Sequence, residues 1–230
     1  MPLKGSAPDG SNGPHALVAS VHSPTLEADD RHHLQRVLRL RSGDPLTVTD
    51  GEGRWAECIF GAQLSRSSDV VTVDPPLPRL GVAFALIKGG RPELVVQKLV
   101  ELGIDDIWPF TAERSVVKWD DEKVDKNQVR LDRVAREALM QCRRVWRPTI
   151  HRVRPFCDVA ALQGAAMADR GGSAVSLSNP IVLIGPEGGW SDDERLAELP
   201  RVGLAGPVLR AETAAIAAGT LLGALRESSH

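Results

Sequence analysis

Ile181-Val-Leu-Ile-Gly-Pro-Glu-Gly-Gly-Trp190 decides how this chain is read: a short apolar strand runs directly into a glycine-rich turn. Glycine has no Cβ and adopts positive φ, so Gly185, Gly188 and Gly189 expose bare main chain where a ligand can approach it. Val202-Gly-Leu-Ala-Gly-Pro-Val-Leu-Arg-Ala-Glu-Thr-Ala-Ala215 repeats the device at Gly203 and Gly206. Either turn alone is equally an ordinary tight connection of an α/β sheet. Two of them so close together point to a small-molecule pocket built from backbone.

The charge around the first turn narrows the ligand. Ser191-Asp192-Asp193-Glu194 reads as a capping box, with acids in the first helical turn where the positive end of the helix dipole favours them. Those acids are hostile to phosphate. Neither G-x-x-x-x-G-K-[ST] nor a G-x-G-x-x-G opening a helix occurs, so a neutral or cationic ligand is expected rather than a nucleotide phosphate.

Working back toward the N-terminus, the same alternation of strands and helices continues. Val82 to Ile87 is a continuous apolar run, Pro92 to Leu102 reads as a helix with Gly103 just past its end, and Ile104 to Phe110 is strand again. Leu131, Val134, Ala135, Ala138, Leu139, Cys142 and Val145 follow helical spacing. Further strands are expected near 174–177, 181–184 and 202–205, completing a mostly parallel sheet. The final helix, 212–226, is made largely of small residues. Glycines inside a helix cost about 1 kcal/mol each relative to alanine, which predicts close backbone packing as compensation.

Upstream of Asp74-Pro-Pro-Leu-Pro-Arg79, a stiff linker and domain boundary, the pattern is different. Two extended runs around Asp50-Gly51 signal a hairpin, 69–73 is another strand, and a helix near 27–40 interrupts them. Residues 1–14 lack the apolar core of a signal peptide and read as a flexible tail.

The chain has 230 residues, 42% hydrophobic and 25% charged, which excludes wholesale disorder. No apolar run reaches the ~18 residues of a membrane span, so a cytoplasmic protein with no membrane role is expected. Cys58, Cys142 and Cys157 fit neither a disulfide framework nor a metal site. Cys142, beside Arg143 and Arg144, is open to two readings, activated thiolate or small buried hydrophobe. His32 and His33 are helix neighbours that point apart and no H-E-x-x-H exists, so no metal is expected.

Net charge is only −2, yet residues 130–154 hold eight arginines against Asp132 and Glu137, and residues 31–41 hold four with no acid. Local basic patches on a near-neutral chain suit RNA, since phosphate contacts supply affinity and position. Solvated helix faces are the alternative. Trp146, inside the arginine cluster, is the tryptophan best placed to stack a base.

With these segments in hand, a resemblance becomes visible. Gly185-Pro-Glu-Gly-Gly189 followed by Leu204-Ala-Gly-Pro-Val-Leu-Arg-Ala-Glu-Thr-Ala214 resembles the signature of the RsmE family, SPOUT-class methyltransferases acting on N3 of a uridine in 16S ribosomal RNA. His33 to Asp44 is similar to the family's N-terminal motif, and Gln97 to Gly103 with Glu113-Arg-Ser-Val116 to its central one. The likeness covers most of residues 15–226. It implies an α/β fold: a trefoil-knotted, mostly parallel SPOUT domain over 80–230, following a small β-barrel PUA-like RNA-binding domain over 15–76. It further implies S-adenosyl-L-methionine as cofactor, a homodimer, and 16S ribosomal RNA or the small ribosomal subunit as partner.

Carried over position by position, the resemblance assigns cofactor binding to Leu183, Ile184, Gly185, Gly189, Leu204, Gly206, Leu209, Thr213 and Ala214. Leu183, Leu204 and Leu209 would wall the adenine. Losing the imide proton of uridine calls for a base or a stabilising cation, for which Glu187 and Arg210 stand as catalytic candidates. Glu187 equally caps its turn, Arg210 equally binds phosphate, and Glu212 equally caps a helix. RNA contacts fall to Arg31, Arg36, Arg39, Arg41, Arg136, Arg143, Arg144 and Arg147. Two departures stand out: Gln141-Cys-Arg-Arg144 puts an arginine where the family has glycine, and the usual Arg-Phe-Phe start is missing. Competing readings are a ribose 2′-O-methyltransferase on the same fold and a non-catalytic RNA-binding assembly factor.

Overall fold

A computed structural model describes residues 3–89 and 91–229 and divides the chain into two compact units. The first joins Met1–Pro76 to Arg136–Arg147, and the second joins Leu77–Ala135 to Pro148–His230.

In the first unit, β1 (Leu3–Lys4), β2 (His15–Leu17), β3 (Pro45–Thr49), β4 (Arg54–Ile59), β5 (Ser65–Arg66) and β6 (Val71–Thr72) form one mixed sheet in the order β1-β6-β4-β3-β2, with β5 on β4. The hairpin lies where Asp50-Gly51 predicts it, between antiparallel β3 and β4. Gly51 and Gly53 take φ of 75° and 86°, and Asp50 Oδ1 accepts the Glu52 and Arg54 amides at 2.8 and 3.2 Å. α1 (Ala28–Arg36) closes over Val18, Leu46, Val48 and Phe60 through its one buried leucine, Leu34. His15 is buried beside Thr47 Oγ1 at 2.8 Å, and burial pushes its imidazole down to about 4. The segment expected as a tail contains β1, which pairs in parallel with β6.

The return of 136–147 to this unit has specific causes. Arg136 donates to Asp30 Oδ1 at 2.6 Å and also reaches Asp30 Oδ2, while Trp146 Nε1 donates to the Val73 carbonyl at 3.1 Å. The Trp146 ring fills the space over Gly53, where an added Cβ would stand 2.4 Å from it.

The second unit is a parallel sheet. Its strands are β7 (Gly81–Ala85), β8 (Asp106–Thr111), β9 (Thr149–Ile150), β10 (Arg154–Pro155), β11 (Ala165–Ala174), β12 (Ile181–Ile184) and β13 (Arg201–Gly203), ordered β10-β8-β7-β12-β11-β13 with β9 on β8. The helices are α2 (Arg91–Glu101), α3 (Asp121–Gln141), whose residues from Arg136 on belong to the first unit, α4 (Phe156–Ala160), α5 (Asp192–Arg195) and α6 (Ala211–Glu227). α2 ends as its sequence predicts, at Gly103 with φ 82°. α3 starts ten residues before the first apolar position of the expected stripe, with Asp120 Oδ1 accepting the Lys123 amide at 2.9 Å, and of that stripe Leu131, Ala135, Ala138, Leu139 and Val145, the last beyond the helix end, are buried.

One expected strand moves. In place of 174–177, β11 spans 165–174 and shares only Ala174 with the expectation. It contains no β-branched residue, which hid it from a propensity reading, and it is paired on both sides, by β12 and β13. Its register against β13 breaks between Ala168 and Ser173, and Gly172 there approaches Val202 so closely that a Cβ would sit 2.6 Å from its backbone.

The glycines of α6 are explained by close approach. A Cβ at Gly219 would lie 2.8 Å from Leu99 Cδ2 on α2, and one at Gly223 3.0 Å from the Leu102 carbonyl. At the helix end Arg226 donates to Asp105 Oδ2 at 2.5 Å, a buried pair in which the same oxygen accepts the Leu80 amide at 2.9 Å.

Candidate active site

Parallel strands release their connections at one edge of a sheet, and ligands of open α/β sheets gather outside those carboxyl ends. β12 and β13 are separated by β11 alone, so the two glycine turns leave the same edge one strand apart. Between them is a cavity of about 210 Å³ lined by Ile184, Gly185, Glu187 and Gly189 from the first turn and Leu204, Leu209 and Ala214 from the second segment.

The first turn is held from beneath. Trp190 is 3% exposed, stacks on Phe110 with ring centroids 6.1 Å apart, and donates its indole N–H to the Ala168 carbonyl at 2.9 Å. Gly185 passes over that indole, where a Cβ would come within 2.8 Å. Ser191 and Glu194 form the capping box that the sequence signals. Glu194 goes further: one buried carboxylate oxygen takes the Ser191 amide at 2.9 Å and the other the Glu113 amide at 2.8 Å. Arg114 donates to the Trp190 carbonyl at 3.0 Å, and Gly188 lies against the Arg114 Cβ. The Glu113-Arg-Ser-Val116 segment therefore splints the turn.

Gly189 answers to a different need. Its φ is 70°, and a Cβ there would meet nothing within 4 Å. Backbone geometry selects glycine, and the missing side chain leaves the cavity clear.

Of the cofactor positions expected from sequence, Leu183, Gly206 and Thr213 do not line the cavity. Leu183 is the instructive correction. Strand residues alternate faces, so while Ile184 reaches the cavity, Leu183 is fully buried in the core with Phe110 and Met167 and cannot wall a ligand. Arg210 is exposed, caps α6 through its backbone alone, and also lies outside the lining.

Glu187 is in the lining, and its Oε1 accepts from Arg91 Nη1 at 2.7 Å. The same Arg91 nitrogen is 3.7 Å from Glu212 Oε1, whose companion oxygen Oε2 is buried with no hydrogen-bond partner among the described residues.

Sequence reasoning missed the third wall, Ala168, Asp169 and Arg170 of the β11 bulge. The adjacent Gly171-Gly172 pair was the available signal. Asp169 is neutralised locally by Arg195 Nη1 at 2.5 Å. The cavity thus combines aliphatic walls, bare main chain and two carboxylates, each held by its own arginine.

This donor set suits S-adenosyl-L-methionine: aliphatic side chains for an adenine ring, open peptide groups for its edge and the ribose, and carboxylates near a cationic centre. Among the described residues no cluster of His, Cys, Asp or Glu could hold a metal ion. Cys58 is buried, which pushes its thiol up to about 11, and Cys142 directs its thiol to the Leu139 carbonyl at 3.8 Å.

The expected RNA contacts separate into engaged and open arginines. Arg136 is bound to Asp30, and Arg143 donates to the Gly13 carbonyl at 2.7 Å. Arg143 also has φ 60°, so the position where the family carries glycine is a left-handed one, occupied here by an arginine. Arg31 donates to the Gly61 carbonyl at 2.8 Å and lies over the Phe60 ring. Arg36, Arg39, Arg41 and Arg147 are exposed, and Arg144 is half-buried. Trp146, singled out for stacking, donates its indole N–H to the Val73 and Asp74 carbonyls and packs on Gly53, which removes it from that role.

Comparison with known proteins bears on both units. Residues 74–223 match the RNA methyltransferase domain family and residues 26–62 the RNA methyltransferase PUA domain family. The chain is 32% identical over 227 residues to ribosomal RNA small subunit methyltransferase E of Mycobacterium bovis, covering 87% of this chain and 86% of that one. It is 30% identical over 218 residues to the protein of that name from Bacillus subtilis, covering 83% and 85%. A putative methyltransferase from Legionella pneumophila, solved with bound S-adenosylmethionine, superposes with a TM-score of 0.78 at 28% identity, covering 91% of this chain and 96% of that one.

Proposed function

The chain belongs to the ribosomal RNA small subunit methyltransferase E family, and from that premise we propose which of its groups carry the reaction. It is an S-adenosyl-L-methionine-dependent methyltransferase acting on N3 of a uridine in 16S ribosomal RNA. The observation that carries the assignment of the site is the meeting of Ile184, Gly185 and Gly189 with Leu204, Leu209 and Ala214 around one cavity.

Bound there, the cofactor supplies a methyl group activated by a sulfonium. What the chain supplies is alignment and proton handling. Ile184, Leu204 and Leu209 would hold the adenine between aliphatic side chains, with main chain at Gly185 and Gly189 free to bond its polar groups. Glu187 is the proton acceptor: Arg91 fixes one of its oxygens, and the other takes the proton from uridine N3 as that nitrogen becomes nucleophilic. Arg91 stays beside the carboxylate as a fixed positive charge. Arg210, exposed next to the cavity residue Leu209, stabilises the uridine anion or a neighbouring phosphate.

Arg36, Arg39 and Arg41 in the first unit, with Arg31, Arg144 and Arg147, supply phosphate contacts that position the RNA. The proposal includes a homodimer, as the family resemblance implies, and a cytoplasmic location. No helix among the described residues is long and apolar enough to cross a membrane.

The test is incubation with methyl-labelled S-adenosyl-L-methionine and either naked 16S ribosomal RNA or assembled small subunits, followed by mass spectrometry of the nucleosides. N3-methyluridine is expected. Label on a ribose 2′-oxygen, or in no nucleoside, overturns the reading.

A further inference from the structure

A second cavity, of about 170 Å³, opens beside the first turn of α2. It is lined by Lys88 and Gly89 from the loop after β7, Glu93 of α2, Trp119, and Asn127 and Arg130 of α3. Ile87, Pro92, Val117 and Leu131 complete the lining, so an aromatic plane, a carboxamide, two cations and a carboxylate are set among apolar groups.

Two observations point to a ligand. Glu93 Oε1 pairs with Arg130 Nε at 2.6 Å, while its Oε2 is buried with no hydrogen-bond partner among the described residues. A buried carboxylate oxygen without a donor is costly, and an N–H from a bound molecule would satisfy it. The second observation concerns tryptophan. Trp55, Trp146 and Trp190 donate their indole N–H groups to backbone carbonyls, and Trp108 stacks on His151 with ring centroids 4.5 Å apart. Among the described residues Trp119 alone makes neither kind of contact, and it is half-buried in the wall of this cavity.

The location ties the cavity to the reaction. Arg91, two residues before Glu93 in the first turn of α2, is the group that holds Glu187 at 2.7 Å in the first cavity. The two cavities therefore flank the same helical turn.

We infer that the second cavity holds one unstacked base of the RNA strand, adjacent to the nucleotide presented for methylation. The indole of Trp119 stacks under the ring, Glu93 Oε2 and the Asn127 carboxamide meet N–H donors on its edge, and Lys88 meets the phosphate. Single-stranded RNA is read through stacking on aromatic side chains and hydrogen bonds to base edges in this way. The inference rests on the RNA methyltransferase reading of the first cavity.

The experiment measures binding of a short, fluorescein-labelled, single-stranded oligoribonucleotide of mixed sequence to the full chain by anisotropy, alongside calorimetry with S-adenosyl-L-methionine. Trp119→Ala should weaken the oligonucleotide about tenfold, and Trp119→Phe, which keeps a stacking face, should stay within about threefold of wild type. Cofactor affinity should be the same in all three proteins. Oligonucleotide affinity within twofold of wild type in Trp119→Ala, an equal loss in Trp119→Phe, or no measurable binding by wild type overturns the inference. If the oligonucleotide behaves as expected and the cofactor binds none of the proteins, base binding in the second cavity stands, while the assignment of the first cavity falls and with it the placement of that base beside a methylated nucleotide.

Discussion

The two segments that wall the first cavity are built in opposite ways. The 185–190 turn rests on a buried indole, a capping box and a buried carboxylate that accepts two backbone amides. The 204–210 segment has its proline, its valine and Gly206 exposed, Val208 being 73% so. Its main-chain tie is the Arg210 carbonyl accepting from Ala214 at 2.8 Å, and that bond belongs to α6. A ligand in this cavity meets one wall already set and another that it must help to order. Ordering costs conformational entropy, so the second wall adjusts affinity while the first fixes orientation.

Removing the support of the set wall should have the largest effect. Trp190→Ala takes away a fully packed indole and should cost about 3–5 kcal/mol of stability by chemical denaturation, with cofactor binding lost in calorimetry. A smaller loss would mean that the first turn is no better supported than the second. Glu194→Ala leaves the Ser191 and Glu113 amides without acceptors and should cost about 3 kcal/mol.

Acid provides a control that spares both walls. His15, in the other unit, has its imidazole lowered to about 4 by burial, so the unfolded chain binds the proton more readily. Its contribution is whole above pH 6.5 and is lost as pH falls toward 4, amounting to about 2 kcal/mol by pH 5. Denaturation from pH 7 to 5 should show that decline in wild type and much less of it in His15→Gln. The loops are best compared above pH 6.5.

For the loosely tied wall the expected effects are smaller and of another kind. Saturating S-adenosyl-L-methionine should slow amide exchange across 204–210 far more than across 185–190, and equal protection would contradict the contrast. Val208→Ser should leave stability within about 0.5 kcal/mol. Cofactor affinity in that variant should fall about fivefold, the equivalent of about 1 kcal/mol of apolar contact.

The sequence was most readable where local chemistry acts alone. The Asp50-Gly51 hairpin, the Gly103 helix end, the Ser191 capping box and the small-residue face of α6 each depend on residues near in sequence or on sterics that one residue type announces. Pairing across long separations was not readable. Arg136 and Asp30 are 106 positions apart, so composition showed an arginine cluster without showing which arginines were already taken. β11 was misplaced because it carries no β-branched or aromatic residue and is held by pairing with two neighbours instead, and with it a wall of the cavity was missed. Leu183 was misassigned by motif position, where strand alternation decides. Trp146 was misread because burial and hydrogen bonding, which no spacing encodes, determine whether an indole is available.

α6 touches the cavity with Ala211 and Ala214, sits on α2 at Gly219, and is tethered to Asp105 at Arg226. A helix rises 1.5 Å per residue, so the tether is roughly 22 Å from the residues that meet the ligand. The helix is a lever with its fulcrum at a glycine. Whatever loosens the far end, or inserts a methyl group at the pivot, tilts the floor of the cavity without touching any residue that lines it.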